Sequence, residues 1–147
     1  MRIYILGSNA FMKKMVEVTD QLIGIGVNAH IAPHYREMVA GTGRQDMLNM
    51  YLQGERAEVK QKYNTFMLHY NLILESDAVL FVNDTKNGIE NYIGGNVLIE
   101  MGQAYVNNKI IFFLNNMPTD PKLTYLDEIV AMQPICLGGN LSLVKNY

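Results

Sequence analysis

Five short apolar runs, separated by longer polar or amphipathic stretches, organise the chain. The runs cover residues 3–6, 27–32, 78–82, 109–114 and 134–137. The segment after the first run has Phe11, Met15, Val18 and Leu22 at three- and four-residue spacings, which is typical of a helix that packs by one face. The runs 3–6 and 78–82 are wholly apolar, as strands covered on both faces must be. Strands alternate with helices along the chain.

This alternation predicts one α/β domain over residues 1–147. We expect a doubly wound, flavodoxin- or Rossmann-like sheet of five mostly parallel strands, with helices on both faces and strand order 2-1-3-4-5. The first and third strands are then neighbours. A crevice is expected above their carboxyl ends, between residues 7–9 and the loop 83–95.

The segment 34–61 is a polar excursion with no strong period, and we expect a lid or an oligomer contact there. Its apolar residues Met47, Met50, Tyr51 and Leu52 have no obvious core partner, so they predict an exposed contact surface. A helix is expected from about residue 55 to residue 74, and a short one over 123–132.

Composition excludes several classes of function. A net charge of −2 without any basic run argues against polymeric nucleic acid as a partner. No apolar run approaches the roughly 20 residues of a membrane span, and no signal peptide is visible, so a cytoplasmic protein is expected. The single cysteine and three scattered histidines have no metal-ligand spacing, and no phosphate-loop or dinucleotide fingerprint occurs. We therefore expect no metal and no cofactor.

The stretch 83–105 carries the candidate chemistry. A glycine-bearing loop leads into a helix whose polar stripe is Asn96, Glu100, Gln103 and Asn107. Such a stripe is usually a solvated face, and the alternative is a site at Glu100. Asp84 suits either a ligand hydroxyl or a turn cap. The turn after the first strand, with Gly7 and Ser8, suits either an anion site or an ordinary βα turn.

These residues resemble the nucleoside 2-deoxyribosyltransferase-like superfamily, which includes 2′-deoxynucleoside 5′-phosphate N-hydrolases. The resemblance lies in the opening IYILGS, the strand SDAVLFV, and the glycine loop leading into LIEMGQAYVNNKIIFF, over nearly the whole chain. The version NGIENYIGGNVLIEMGQAY is most similar to a largely uncharacterised bacterial branch. The resemblance implies Glu100 as the nucleophile that attacks the anomeric carbon, as in a retaining glycosidase. It also implies homodimers or larger assemblies, in which neighbours complete the pocket.

Two family helpers are replaced in this chain. His69 stands where the family has an aspartate that assists the departing base, and Gly94 stands where it has an acid or serine. The candidate catalytic residues are therefore Glu100 and His69. The candidate substrate-binding residues are Tyr4, Gly7, Ser8, Asn83, Asp84, Gly94, Gly95 and Asn96.

Two functions remain open from the sequence. The first is cleavage of an N-glycosidic bond, or deoxyribosyl transfer, on a nucleoside or nucleotide. The second is a nucleotide-binding or sensing module without turnover. If Glu100 is the nucleophile, it should face the crevice and stay ionised at neutral pH, because a protonated acid cannot attack the anomeric carbon.

Overall fold

The computed structural model describes the whole chain, Met1–Tyr147. Its strands are β1 (Arg2–Gly7), β2 (Asn28–Ile31), β3 (Ala78–Val82), β4 (Ile110–Phe113) and β5 (Ile135–Cys136). Its helices are α1 (Met12–Gly24), α2 (Pro33–Ala40), α3 (Gln45–Leu52), α4 (Arg56–Tyr63), α5 (Thr65–Leu74), α6 (Gly95–Val106) and α7 (Leu126–Ala131), with 3-10 helices at Asn9–Phe11 and Leu141–Asn146. None of the helices has the length and hydrophobicity that crossing a bilayer requires.

The five strands form one sheet in the order β2-β1-β3-β4-β5, and every pairing is parallel. The predicted fold class and strand order are therefore confirmed. β1 and β3 lie at the centre, with Tyr4 beside Val79 and Gly7 beside Val82. The carboxyl ends of β1 and β3 therefore lie at the same edge of the sheet, where ligands bind in such folds.

The central strands are apolar at every position because both of their faces are covered. Ile3 and Ile5 face a core built with α1 and the C-terminal 3-10 helix. The alternate residues Tyr4 and Leu6 face a second core built with α5, α6 and α7. Since successive side chains of a strand point to opposite faces, this alternation directs the Tyr4 ring toward the helices that carry His69 and Glu100.

The excursion between β2 and β3 is more ordered than its sequence suggests, since α2, α3 and α4 cover most of it. The single helix expected over residues 55–74 is wrong. Asn64 adopts a left-handed conformation with φ of 47°, so it ends α4 and directly precedes α5. Asparagine tolerates this conformation better than most residues. The helix break therefore needs no glycine, and the sequence contains no obvious signal for it.

The exposed apolar cluster expected on the excursion is also wrong. Met47 is only 2% exposed and belongs to the core on the α1 side of the sheet. Met50 and Tyr51 pack against that same core, and only Leu52, at 76% exposure, lies open to solvent. The excursion therefore folds onto the domain instead of presenting a contact surface through these residues.

Candidate functional site

A crevice of about 320 Å³ opens at the carboxyl ends of β1 and β3. This volume lies within the roughly 300–1,000 Å³ of small-molecule sites. Three parts of the chain surround it: the turn after β1, the loop before α6, and the helices α3 and α4. The lining residues are Gly7, Ser8, Asn9, Ala10, Met12, Leu48, Tyr51, Leu52, Arg56, Lys60, Lys86, Tyr92, Gly94, Gly95, Asn96 and Val97.

The turn after β1 forms one wall. Ser8 caps the 3-10 helix that leads into α1, and its Oγ accepts a hydrogen bond from the Ala10 amide at 3.4 Å. Gly7 packs tightly, because a Cβ there would lie 3.0 Å from the carbonyl oxygen of Val82 and 3.2 Å from the Met15 sulfur. Gly7 is thus explained by strand packing alone, while Ser8 presents a hydroxyl at the crevice.

Two predicted binding residues, Asn83 and Asp84, directly follow β3 but lie outside the crevice. Asn83 is buried, and its side chain joins the neighbouring loop by donating to the Asn116 carbonyl at 2.8 Å and accepting from the Asn115 amide at 2.9 Å. Asp84 accepts from the Thr85 amide at 2.7 Å and lines a separate hollow of about 210 Å³. Neither lines the crevice, and Asp84 is placed as a turn cap.

The next part of this loop does reach the crevice. Gly94 and Gly95 line it directly ahead of α6. A Cβ at Gly94 would lie 3.1 Å from the Tyr92 ring, whereas one at Gly95 would meet nothing within 4 Å. Gly94 therefore lets Tyr92 fold over the loop, and Gly95 leaves open space at the amino end of the helix. Asn96, in the first turn of α6, is exposed and also lines the crevice.

Glu100 points into the protein, so the interpretation of its stripe as a solvated face is wrong for this residue. It is 3% exposed, and its Oε1 accepts a hydrogen bond from Asn96 Nδ2 at 3.1 Å, while Oε2 is buried without a partner. Asn96 connects Glu100 to the crevice, since its side chain lines the crevice and also donates a hydrogen bond to the buried carboxyl group. Glu100 thus lies below the crevice floor, one helical turn from its lining.

Burial also sets the protonation state of this carboxyl. It raises the pKa of Glu100 to about 8, against the lowering effects of the Asn96 hydrogen bond and the Lys60 charge. Removing a carboxylate from water disfavours its charged form, and one amide donor compensates only partly. The expectation of an ionised Glu100 at neutral pH is therefore wrong for the ligand-free protein, in which the protonated form dominates at pH 7.

His69 and Tyr4 form a second buried pair below the crevice. The Tyr4 hydroxyl lies 2.6 Å from His69 Nδ1, and both side chains are almost completely buried. Burial, followed by the charges of His34 and Lys60, lowers the pKa of His69 to about 3, and burial raises the pKa of Tyr4 well above its usual value. At neutral pH the pair is therefore a neutral imidazole hydrogen-bonded to a protonated phenol, and the tautomer of His69 decides which of the two donates. Neither residue lines the crevice.

Sequence reasoning missed three basic residues of the lining, Arg56, Lys60 and Lys86. Arg56 and Lys60 are four residues apart on α4, so they lie on the same helical face. Lys86 follows β3 in the loop at the binding edge of the sheet. The i, i+4 spacing and this position were visible signals, but only the packing of α4 over the sheet edge brings the three together.

The structure contains no group of three histidine, cysteine, aspartate or glutamate side chains arranged to hold a metal ion. Comparisons with protein-family models, with curated proteins and with solved structures gave no match. The function must therefore be argued from the chemistry of the crevice and of the buried groups below it.

Proposed function

We propose that this protein cleaves or transfers the N-glycosidic bond of a nucleoside or nucleotide, with Glu100 as the nucleophile. One observation carries the proposal: a carboxyl group is buried without a full set of hydrogen bonds, one helical turn below a crevice that is large enough for such a ligand. A buried polar atom without a partner costs stability. Such groups cluster at functional sites, where a perturbed pKa has a use.

The chemistry follows from the carboxylate form of Glu100. One carboxylate oxygen bonds to the anomeric carbon as the C–N bond breaks, and the base departs with the electron pair of that bond and takes a proton from solvent. Water, or the nitrogen of a second base, then displaces Glu100 from the sugar and restores the carboxylate. The developing positive charge on the sugar favours ionisation of the carboxyl beside it.

Because the pKa of Glu100 is about 8, its carboxyl group has to lose a proton before it can attack the sugar. In the free protein only a minor fraction of Glu100 is charged at pH 7, and this fraction increases as the pH approaches 8. The Lys60 charge favours the carboxylate. Entry of substrate also has to bring the anomeric carbon to the level of Glu100, so a shift of the Asn96 side chain, which lies between the two, is expected.

Release of free base from a panel of deoxynucleosides and deoxynucleotides tests the proposal. Replacing Glu100 by Gln should reduce the rate by roughly 10³-fold or more, as is typical when a nucleophile is removed. Mass spectrometry of the wild type stopped during turnover should detect a sugar bound to the peptide that carries Glu100. Glu128→Gln, which alters an exposed carboxylate on α7, is the matched control. Full activity of Glu100→Gln on a proven substrate would refute the assignment.

A second candidate function, binding or sensing of a nucleotide without turnover, is favoured by a different observation. His69 occupies the position where the resemblance implies an acidic helper, and as a neutral imidazole hydrogen-bonded to Tyr4 it lacks the acidic proton of an imidazolium at neutral pH. In this case a nucleotide should bind saturably in calorimetry, and no base should be released over hours at any pH between 6 and 9.

For assembly, we propose a homodimer formed through the outer face of α5 and α6. The two helices pack side by side, and the only acidic or basic side chain in either, apart from His69, is the buried Glu100. Their outward residues are large and apolar: Phe66, Met67, Leu74, Ile99, Tyr105 and Val106. Gly102 lies on the same helical face as Ile99 and Val106, and a Cβ there would meet nothing within 4 Å.

This open position allows a clean test of the dimer. An arginine at Gly102 has room in a single copy, so Gly102→Arg should keep the fold while placing a charge in the contact. Light scattering at micromolar concentration should give the mass of a dimer for the wild type and of a monomer for the variant. A monomeric wild type would contradict the proposal.

A further inference from the structure

Three basic side chains converge on the crevice from two separate elements. Arg56 and Lys60 approach from α4, and Lys86 approaches from the loop after β3. Lys86 Nζ donates a hydrogen bond to Ser8 Oγ at 3.0 Å and lies 5.0 Å from the centre of the Tyr92 ring. This anchoring holds the ammonium at the crevice, although a lysine side chain is otherwise free to extend into solvent.

These three cations have no ion-pair partner at the crevice. None of them takes part in any of the five salt bridges of the protein. The sixteen lining residues include no aspartate and no glutamate. This is unexpected in a chain with 14 acidic and 12 basic residues and a net charge of −2. Like charges repel in a partly enclosed space, and here burial and then the neighbouring Arg56 lower the pKa of Lys86.

A cleft lined by charges of one sign attracts ligands of the opposite sign. We propose that Arg56, Lys60 and Lys86 form an anion subsite of the crevice, and that this subsite binds the phosphate group of a small-molecule ligand. A phosphate group carries up to two charges and several acceptor oxygens, so it can engage three cations at once, whereas a single carboxylate would leave two of them unbalanced. Ser8 offers a further hydroxyl at the same wall.

The size of the crevice and the charge of the chain limit the ligand to a small molecule. A volume of about 320 Å³ lies in the range of small-molecule sites and leaves no room for a polymer. The net charge of −2 works against a long polyanion. The subsite shares the crevice with the proposed glycosidic reaction but does not depend on it, since a phosphate would bind whether or not Glu100 attacks a sugar.

Binding of four probes to the purified protein tests the subsite: inorganic phosphate, ribose 5-phosphate, adenosine 5′-monophosphate and adenosine. Calorimetry in a low-salt buffer free of phosphate should show binding of the three phosphate-bearing probes, each weakened by added sodium chloride, because salt screens the partly exposed cations. Adenosine should bind at least roughly tenfold more weakly than its monophosphate, since charge-assisted contacts account for the difference. If inorganic phosphate binds but ribose 5-phosphate and adenosine 5′-monophosphate do not, the subsite takes a free ion, and the proposal of a phosphate-bearing small molecule is wrong.

Variants assign the binding to these residues. Arg56→Gln and Lys86→Gln should each weaken binding of the monophosphate by roughly tenfold or more, and should leave binding of adenosine unchanged. Lys62→Gln is the matched control, because Lys62 lies on the same helix but approaches Asp46 at 4.0 Å instead of the crevice. A circular dichroism melt of each variant verifies that it is folded.

Two results would overturn the subsite: equal affinity for adenosine and its monophosphate, or unchanged monophosphate affinity in both folded variants. Failure of the proposed reaction looks different. If Glu100→Gln and the wild type both release no base while the monophosphate still binds through Arg56 and Lys86, the subsite stands and the glycosidic proposal fails.

Discussion

Replacing Glu100 by Gln should stabilise the protein, and the gain should depend on pH. The carboxyl has a pKa near 4.5 in the unfolded chain and about 8 in the fold. The folded state therefore holds the proton more tightly. The stability that this proton provides is complete below about pH 4.5 and is lost progressively as the pH rises to 8.

The magnitude follows from the two pKa values. Each pKa unit corresponds to about 1.4 kcal/mol. At pH 7 the free energy of unfolding of the wild type is therefore roughly 3 kcal/mol lower than that of a protein whose side chain at this position never ionises. Glutamine is such a side chain and has nearly the same shape. Its amide NH₂ at the position of Oε2 would lack a partner, but so does the hydroxyl of the protonated acid, and the two forms should be equally stable at low pH.

Denaturant melts of both proteins from pH 5 to pH 8.5 measure this difference. The two free energies of unfolding should agree within about 1 kcal/mol at pH 5 and diverge by roughly 3 kcal/mol at pH 7, or about 6–12 °C in melting temperature for a chain of this size. Glu128→Gln, at an exposed position, should follow the wild type throughout. Parallel curves for Glu100→Gln and the wild type would refute a buried, neutral Glu100.

Three further predictions concern the activity and the fold. If Glu100 is the nucleophile, kcat/KM for base release should rise with pH, reach half of its maximum near pH 8 and level off about one pH unit higher, because this parameter follows the ionisation of the free enzyme; a rate that falls above pH 8 would instead indicate a general acid. Asn83→Ala should lower the free energy of unfolding by roughly 2–3 kcal/mol in a denaturant melt, since it removes two buried hydrogen bonds between loops, and a loss under 0.5 kcal/mol would contradict this role. Met47→Ala should cost about 2–5 kcal/mol, as a core truncation does, whereas Leu52→Ala should change stability by no more than about 0.5 kcal/mol; equal effects of the two would show that α3 does not pack as described.

The sequence by itself determined the sheet and its binding edge. Wholly apolar runs such as residues 78–82 occur where a strand is covered on both faces, and alternation with helices leaves few arrangements for five such strands. The crevice between the turn after β1 and the loop before α6 follows from this topology. Gly7, Ser8, Gly94, Gly95 and Asn96 all lie at that edge because chain order and strand direction place them there.

Only the tertiary structure decided which side chains share one environment. The stripe on α6 has the same appearance in sequence whether it faces water or a neighbouring helix, so the burial and protonation of Glu100 depend on the packing of α5 and the excursion around it. The left-handed Asn64 and the burial of Met47 depend on the same packing. Arg56 and Lys60 join Lys86 across long sequence separations, and local periodicity contains no information about such contacts. The electrostatics of this site are therefore a property of the assembled fold, since burial and the charges around each group decide its pKa.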